Sequence, residues 1–278
     1  MGTLRIGELA RRTSLSPEVL RAWERRYGLL HPSRSAGGYR LYSEDDAERV
    51  LRMQELISSG IAAAEAARLA LDDAPGHAVG DAVSELRGAL DAFDDAGAHR
   101  AFDGLLARLS VEAVLADAVL PLLRELGERW ERGEASVAQE HFASQLLRGR
   151  LLGLARGWDR GVGPRAVLAC VPGEHHDLPL IVFGLALRGH GWRITFLGAD
   201  TPVDTIAKTA AALEPAVVVV SATQAGTLEA SADELASVRG LPLWVGGAGV
   251  TPELAQRCGA QLLDAGPLEE AARLAAAA

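Results

Sequence analysis

Glu174, His175, His176 and Asp177 stand in a row directly after the apolar run AVLACVPG, and they are the residues best suited to metal chemistry. A loop imidazole can ligate a metal held by a cofactor through one ring nitrogen. A carboxylate two residues earlier can take the other ring N–H and fix the tautomer. Glu174 stands in that relation to His176. A solvated loop histidine among acids is the other reading. A second group is Trp130 with Glu140-His141. Trp130 ends a predicted helix just before Gly133, and Ser136 with Gln139 forms a capping box that starts the next. The three residues flank one short connection and are expected to meet in a common cavity, although a core Trp and a surface Glu-His pair would account for them too. Cys170 and Cys258, the only cysteines, have no metal-ligand spacing and are expected to be reduced thiols.

These residues need elements to hold them. From residue 161 to 278, AVLACVPG, WRITFLGAD, AVVVVSA, LPLWVGG and AQLLDAG read as short strands separated by helical segments. This predicts an α/β, doubly wound, parallel five-stranded sheet with ligand at the carboxyl ends of its strands, where His176 falls. No GxGxxG follows the first strand, which argues against a dinucleotide. Residues 81–160 contain only helix-compatible segments, broken near Gly97, Ser110 and Gly133. Their leucine stripes suit a four-helix bundle. Asp72–Gly80 is interrupted by Pro and Gly, and 74–80 is assigned as a linker.

Residues 1–73 differ in character. The chain carries −9 overall, yet residues 1–42 hold eight Arg against Glu8, Glu18 and Glu24, a net +5 that leaves −14 for the rest. A basic head on an acidic body suits a phosphate backbone at one end. Ile6–Thr13 reads as a short helix and Ser14-Leu15 as a turn. Ser16 then caps a second helix with Pro17 at its first position, burying Val19, Leu20 and Trp23 and leaving Arg21, Arg25 and Arg26 outward. Gly37-Gly38 suits a hairpin tip, with Tyr39–Tyr42 returning as a strand. Ser43 and Asp46 form a capping box for the next helix. Two helices across a turn followed by a hairpin is winged helix-turn-helix geometry. The stretch MGTLRIGELARRT lacks an apolar signal-peptide core and no run approaches a membrane span, so a cytoplasmic chain without membrane contact is expected.

WERRYGLLHPSRSAGGYRLYS resembles the recognition helix and wing of the MerR family, over residues 3–71. That resemblance implies contacts to double-stranded promoter DNA from Arg21, Arg25, Arg26 and Tyr27 on the helix, and from Arg34, Tyr39, Arg40 and Tyr42 on the wing. Glu174-x-His176 resembles the Asp-x-His-x-x-Gly loop of cobalamin-binding domains, in which the His lies beneath cobalt. Ser221-Ala-Thr223 falls where those domains have Ser-x-Leu, and Gly246-Gly247 falls where missing side chains let the nucleotide tail pass. Glu174, Pro179 and Thr223 depart from the pattern. Trp130, nine residues, then Glu140-His141 is similar to the signature of CarH-type (LitR-type) photoreceptors, which have the same domain order. The resemblance implies a non-enzymatic repressor that binds adenosylcobalamin, with His176 as lower cobalt ligand. Trp130, Glu131, Glu140 and His141 would lie at the upper face. It also implies a tetramer or dimer that assembles in the dark and dissociates in light. Best-known members have His where this chain has Glu131, a departure that bears on the light-adapted state. A regulator that answers to cobalamin itself or to a linear tetrapyrrole is the alternative. A corrinoid enzyme is disfavoured because no substrate-activating domain fits beside the winged helix.

Overall fold

The computed structural model describes residues 4–34, 37–72, 75–224 and 226–277. It divides into two compact units, Met1–Gly88 with Gly97–Leu105, and Ala89–Ala96 with Leu106–Ala278.

In the first unit, α1 (Ile6–Thr13) and α2 (Pro17–Tyr27) precede a two-stranded wing, β1 (Ser33–Arg34) and β2 (Arg40–Leu41). Helices α3 (Glu44–Ser58) and α4 (Ala63–Asp72) follow. The turn between α1 and α2 closes at Ser14, which takes a left-handed backbone (φ 53°), and the Ser16 hydroxyl accepts from the Val19 N–H at 3.4 Å. The capping box of α3 is complete: Ser43 Oγ accepts from Asp46 N at 3.1 Å, and Asp46 Oδ2 accepts from Ser43 N at 2.9 Å. These local signals start each helix where the side chains allow. Leu9, Leu20, Leu29, Val50 and Met53 form the core, with Trp23 packed on it half-buried. Of the three α2 residues expected inside, only Leu20 is fully buried. The returning strand is shorter than Tyr39–Tyr42. Arg40 and Leu41 pair with β1, whereas Tyr42 pairs with Leu4. Part of the expected wing tip, residues 35–36, lies outside the described residues.

Four helical runs follow: α5 (Pro75–Asp91), α6 (Asp95–Leu106), α7–α8 (Val111–Val114 and Leu120–Glu131, joined by a π turn at Leu115–Val119) and α9 (Val137–Leu154). The number agrees with expectation, but two boundaries do not. The segment assigned as a linker is helical from Pro75 onward, because proline in a first helical turn sacrifices no needed N–H. Gly97 lies inside the first turn of α6; the break comes earlier, at Phe93, whose φ is +57°. The π turn has a local cause in Pro121. Its ring would clash with the carbonyl four residues back, and the wider turn, with Leu120 N–H donating to Leu115 O, avoids this.

The second unit ends in the expected sheet. Its elements are β3 (Arg165–Cys170), α10 (Leu178–Gly189), β4 (Arg193–Gly198), α11 (Val203–Leu213), β5 (Val217–Ser221) and α12 (Thr227–Ser237). Then come β6 (Leu243–Gly246), α13 (Pro252–Arg257), β7 (Gln261–Leu263) and α14 (Pro267–Ala276). All five strands are parallel, in the order β4-β3-β5-β6-β7. Helices cover both faces, which is why β5 is apolar and buried throughout as VVVVS. After β3 the chain turns to one side and after β5 to the other. Their departing loops therefore open a crevice at the carboxyl ends of the strands.

Candidate functional site

The loops at that crevice are fastened by Glu174. Its side chain is fully buried, and its two oxygens accept four hydrogen bonds. Oε1 takes the His176 peptide N–H at 2.8 Å and His176 Nδ1 at 2.6 Å. Oε2 takes the Thr223 and Gln224 N–H groups, each at 2.6 Å. One carboxylate thus joins the loop after β3 to the loop after β5. Burial alone would push this carboxyl up. The N–H groups of Gln224 and His176, with the imidazole and Thr223 N–H, outweigh it and hold the group below the usual carboxylate range. An ionised Glu174 makes Nδ1 the protonated nitrogen of a neutral His176 and leaves Nε2 as the basic one. The His176 side chain is 60% exposed, so this basic nitrogen is accessible. Pro179 occupies the first turn of α10, where its missing N–H costs no helical bond. His175 is exposed and has no comparable carboxylate partner on the loop.

Beyond the loops a cleft of about 610 Å³ opens between the carboxyl ends of β5, β6 and β7, lined by Phe183, Ser221, Thr223, Gly246, Gly247 and Leu263 among others. Ser221, Thr223, Gly246 and Gly247, singled out in the sequence, are among these six. Thr223 Oγ1 is buried there with no hydrogen-bond partner. The two glycines serve the backbone as well as the space. A Cβ on Gly247 (φ +119°) would lie 2.4 Å from Ala222 O, and one on Gly246 would lie 3.0 Å from Leu263 Cβ.

On α9, the Ser136–Gln139 capping box forms as expected and sets Glu140 in the first turn. Glu140 accepts from Ser144 Oγ at 2.6 Å and pairs with His141 Nδ1 at 2.6 Å. Burial raises its pKa, but Ser144 and His141, with a smaller contribution from His176, bring it below the ordinary value. Trp130 is 53% exposed and the His141 side chain 72%. Neither lines the cleft. Glu131 is the exposed last residue of α8.

In the first unit, Arg21, Arg25, Arg26, Arg34 and Arg40 are exposed, and Tyr39 is 66% exposed beneath the Arg5 guanidinium. Tyr27 is half-buried with Arg26 over its ring. Tyr42 corrects the expected contact set. It is fully buried in the core, and its hydroxyl donates to Glu24 Oε2 at 3.0 Å. The other Glu24 oxygen takes Arg40 Nε at 3.1 Å, so this acid ties α2 to the wing. Glu24 entered the sequence reading only as a charge. The pairing of Asp177 with Arg148, through both carboxylate oxygens, was missed as well. Both partnerships span distant segments and leave no local signal.

Family models for the MerR HTH family regulatory protein and for two B12 binding domains match residues 4–72, 83–152 and 164–275. The HTH-type transcriptional repressor CarH of Myxococcus xanthus is 36% identical over 267 residues, covering 88% of this chain and 89% of that protein. The repressor CarA of the same organism is 37% identical over 263 residues, covering 91% and 89%. Among solved structures, the monomethylamine corrinoid protein of Methanosarcina barkeri superposes with a TM-score of 0.57 at 18% identity, over 69% of this chain and 96% of that one, a likeness of fold. A MerR head, a helical B12-binding segment and a B12-binding sheet occur in one chain alongside full-length similarity to two repressors. The chain belongs to the family of MerR-type, B12-binding transcriptional regulators that includes CarH and CarA.

Proposed function

We propose that this regulator represses transcription by occupying promoter DNA through residues 1–73, and that adenosylcobalamin held by residues 81–160 and 161–278 makes the occupancy light-dependent. The observation that carries the reading is the fixed His176, with Nδ1 held by buried Glu174 and Nε2 left accessible at the switch point of a parallel sheet. The residues present fit a corrinoid. His176 would ligate the cobalt through Nε2. The cleft of Ser221, Thr223, Gly246 and Gly247 would take the nucleotide tail, and the unpartnered Thr223 hydroxyl would meet a polar atom of it. Trp130, Glu140 and His141 would hold the group from the helical segment. When bound, adenosylcobalamin supplies a cobalt–carbon bond that light breaks.

The chain's own residues determine the rest. Glu174 orients the imidazole, and Arg21, Arg25, Arg26, Tyr27, Arg34, Tyr39 and Arg40 engage phosphates and base edges. Tyr42 supports them from inside the fold. Self-association into a dimer or tetramer would follow the ligand. Its role is that of a sensor rather than a catalyst. Glu131 favours a second reading, a regulator that answers to cobalamin itself. Position 131 offers a carboxylate where an imidazole would stabilise the light-adapted state.

The test is an absorption spectrum of the full chain with adenosylcobalamin in the dark and after green light, with gel-shift titration on its own promoter region. We expect a base-off, His-ligated spectrum that His176→Ala loses and His175→Ala keeps, and operator affinity that falls at least about tenfold on illumination, a shift within the usual range of coupling between sites. Binding with no light effect would favour the second reading. No binding at all would refute both.

A further inference from the structure

Glu140, Ser144 and Arg148 follow one another at four-residue steps and so share one face of α9. Ser144 Oγ donates to Glu140 at one end of the row. At the other end, Arg148 Nε meets Asp177 Oδ1 and Oδ2 at 3.0 and 2.9 Å, and Nη2 meets Oδ2 at 2.8 Å. The Asp177 side chain is 3% exposed and that of Arg148 38%. Asp177 stands at the N-cap position of α10, where an aspartate ordinarily accepts from the helix's own N–H groups, yet it makes no capping bond. Its carboxylate is given to α9 instead. Asp177 also directly follows His176. The N–H groups of Thr223 and Gln224, then Glu174, His176, Asp177 and Arg148, thus form one connected path from the β5 loop to the polar face of α9.

We propose that the Arg148–Asp177 pair is a strut that couples coordination at His176 to the face of α9 bearing Glu140. The ligand in this inference rests on the cobalamin reading above; the strut itself does not. A guanidinium fork on a carboxylate fixes angle as well as distance, whereas a lysine keeps the charge and loses the fork. Arg148 and Asp177 are positioning residues, acting on the site through His176 and α9.

The test compares the full chain with its Arg148→Lys and Asp177→Asn variants. The control is Arg257→Lys, which breaks a bidentate pair with Asp233 on the surface. With adenosylcobalamin, Arg148→Lys is expected to keep the His-ligated spectrum while the ratio of operator affinities with and without ligand falls by about tenfold. Arg257→Lys should change neither. A ratio equal to wild type in both strut variants would overturn the proposal. Hydrogen exchange on the ligand-free chain decides the point without cobalamin and covers the case in which Asp177→Asn fails to fold. Arg148→Lys should speed exchange of the amides of 174–178, far from it in sequence. Unchanged exchange there would equally overturn the strut. If wild type takes up no cobalamin, the ligand reading fails and the exchange result still decides the strut.

Discussion

Two carboxylates, Glu24 and Glu174, act alike in different units, each gathering donors from a segment distant in sequence. Glu24 accepts from Arg40 and from the Tyr42 hydroxyl. Burial, followed by the hydrogen bond to Glu24, pushes the Tyr42 phenol up to about 12. Because the folded value lies above the ordinary one near 10, the stabilising contribution is fully present below pH 10 and is lost as pH rises through 12. Of the three tyrosines, Tyr42 should therefore ionise late, near pH 12, together with loss of the head's structure, as absorbance at 295 nm would record. Tyr42→Phe should remove that late step and cost about 1 kcal/mol, the worth of one hydrogen bond. A late step that survives the substitution would assign it elsewhere. The burial of Tyr42 was not legible in the sequence, because Tyr39-Arg40-Leu41-Tyr42 alternates like any wing strand. What takes its last residue inside is pairing with Leu4, near the start of the chain. Glu174 was legible, since its partner His176 is two residues away. Its bonds to Thr223 and Gln224 were not.

At the scale of elements, the starts of α2, α3 and α9 could be read because Ser16, Ser43 and Ser136 each act on an N–H three residues on. The five strands could be read because a doubly covered sheet demands unbroken apolar runs. The linker assignment failed because Pro and Gly mark turns but also tolerate helix starts. The π turn was invisible because it depends on how Pro121 is accommodated rather than on an apolar period. The loops over the sheet depend on one further close approach. Gly247→Ala would combine a left-handed φ of +119° with a Cβ 2.4 Å from Ala222 O, whereas Gly133→Ala has φ +70° and nothing within 4 Å. Gly133→Ala should cost roughly 1 kcal/mol and Gly247→Ala 3 kcal/mol or more, read from denaturant midpoints. Similar losses would mean that the loop after β5 yields without strain.

Across the whole molecule, charge and length are both unevenly distributed. A +5 head and a −14 remainder let the same chain be drawn to DNA at one end and repelled along the rest. None of the described helices is long and apolar enough to cross a membrane. Length enters through the run from Val111 to Glu131, which carries Trp130 at its far end. The π turn of 115–119 stores one residue more than the same rise of α-helix would use, so the run contains slack at one address only. Removing Ala116 and relieving the clash with Pro121→Ala should take up that slack and leave the indole facing as it does now. Removing Arg124, past the turn, should swing it round by about 100°, the rotation of one residue. Adenosylcobalamin affinity should then survive the first deletion and fall to that of Trp130→Ala in the second. Equal losses would show that the extra residue is a structural member and not a reserve.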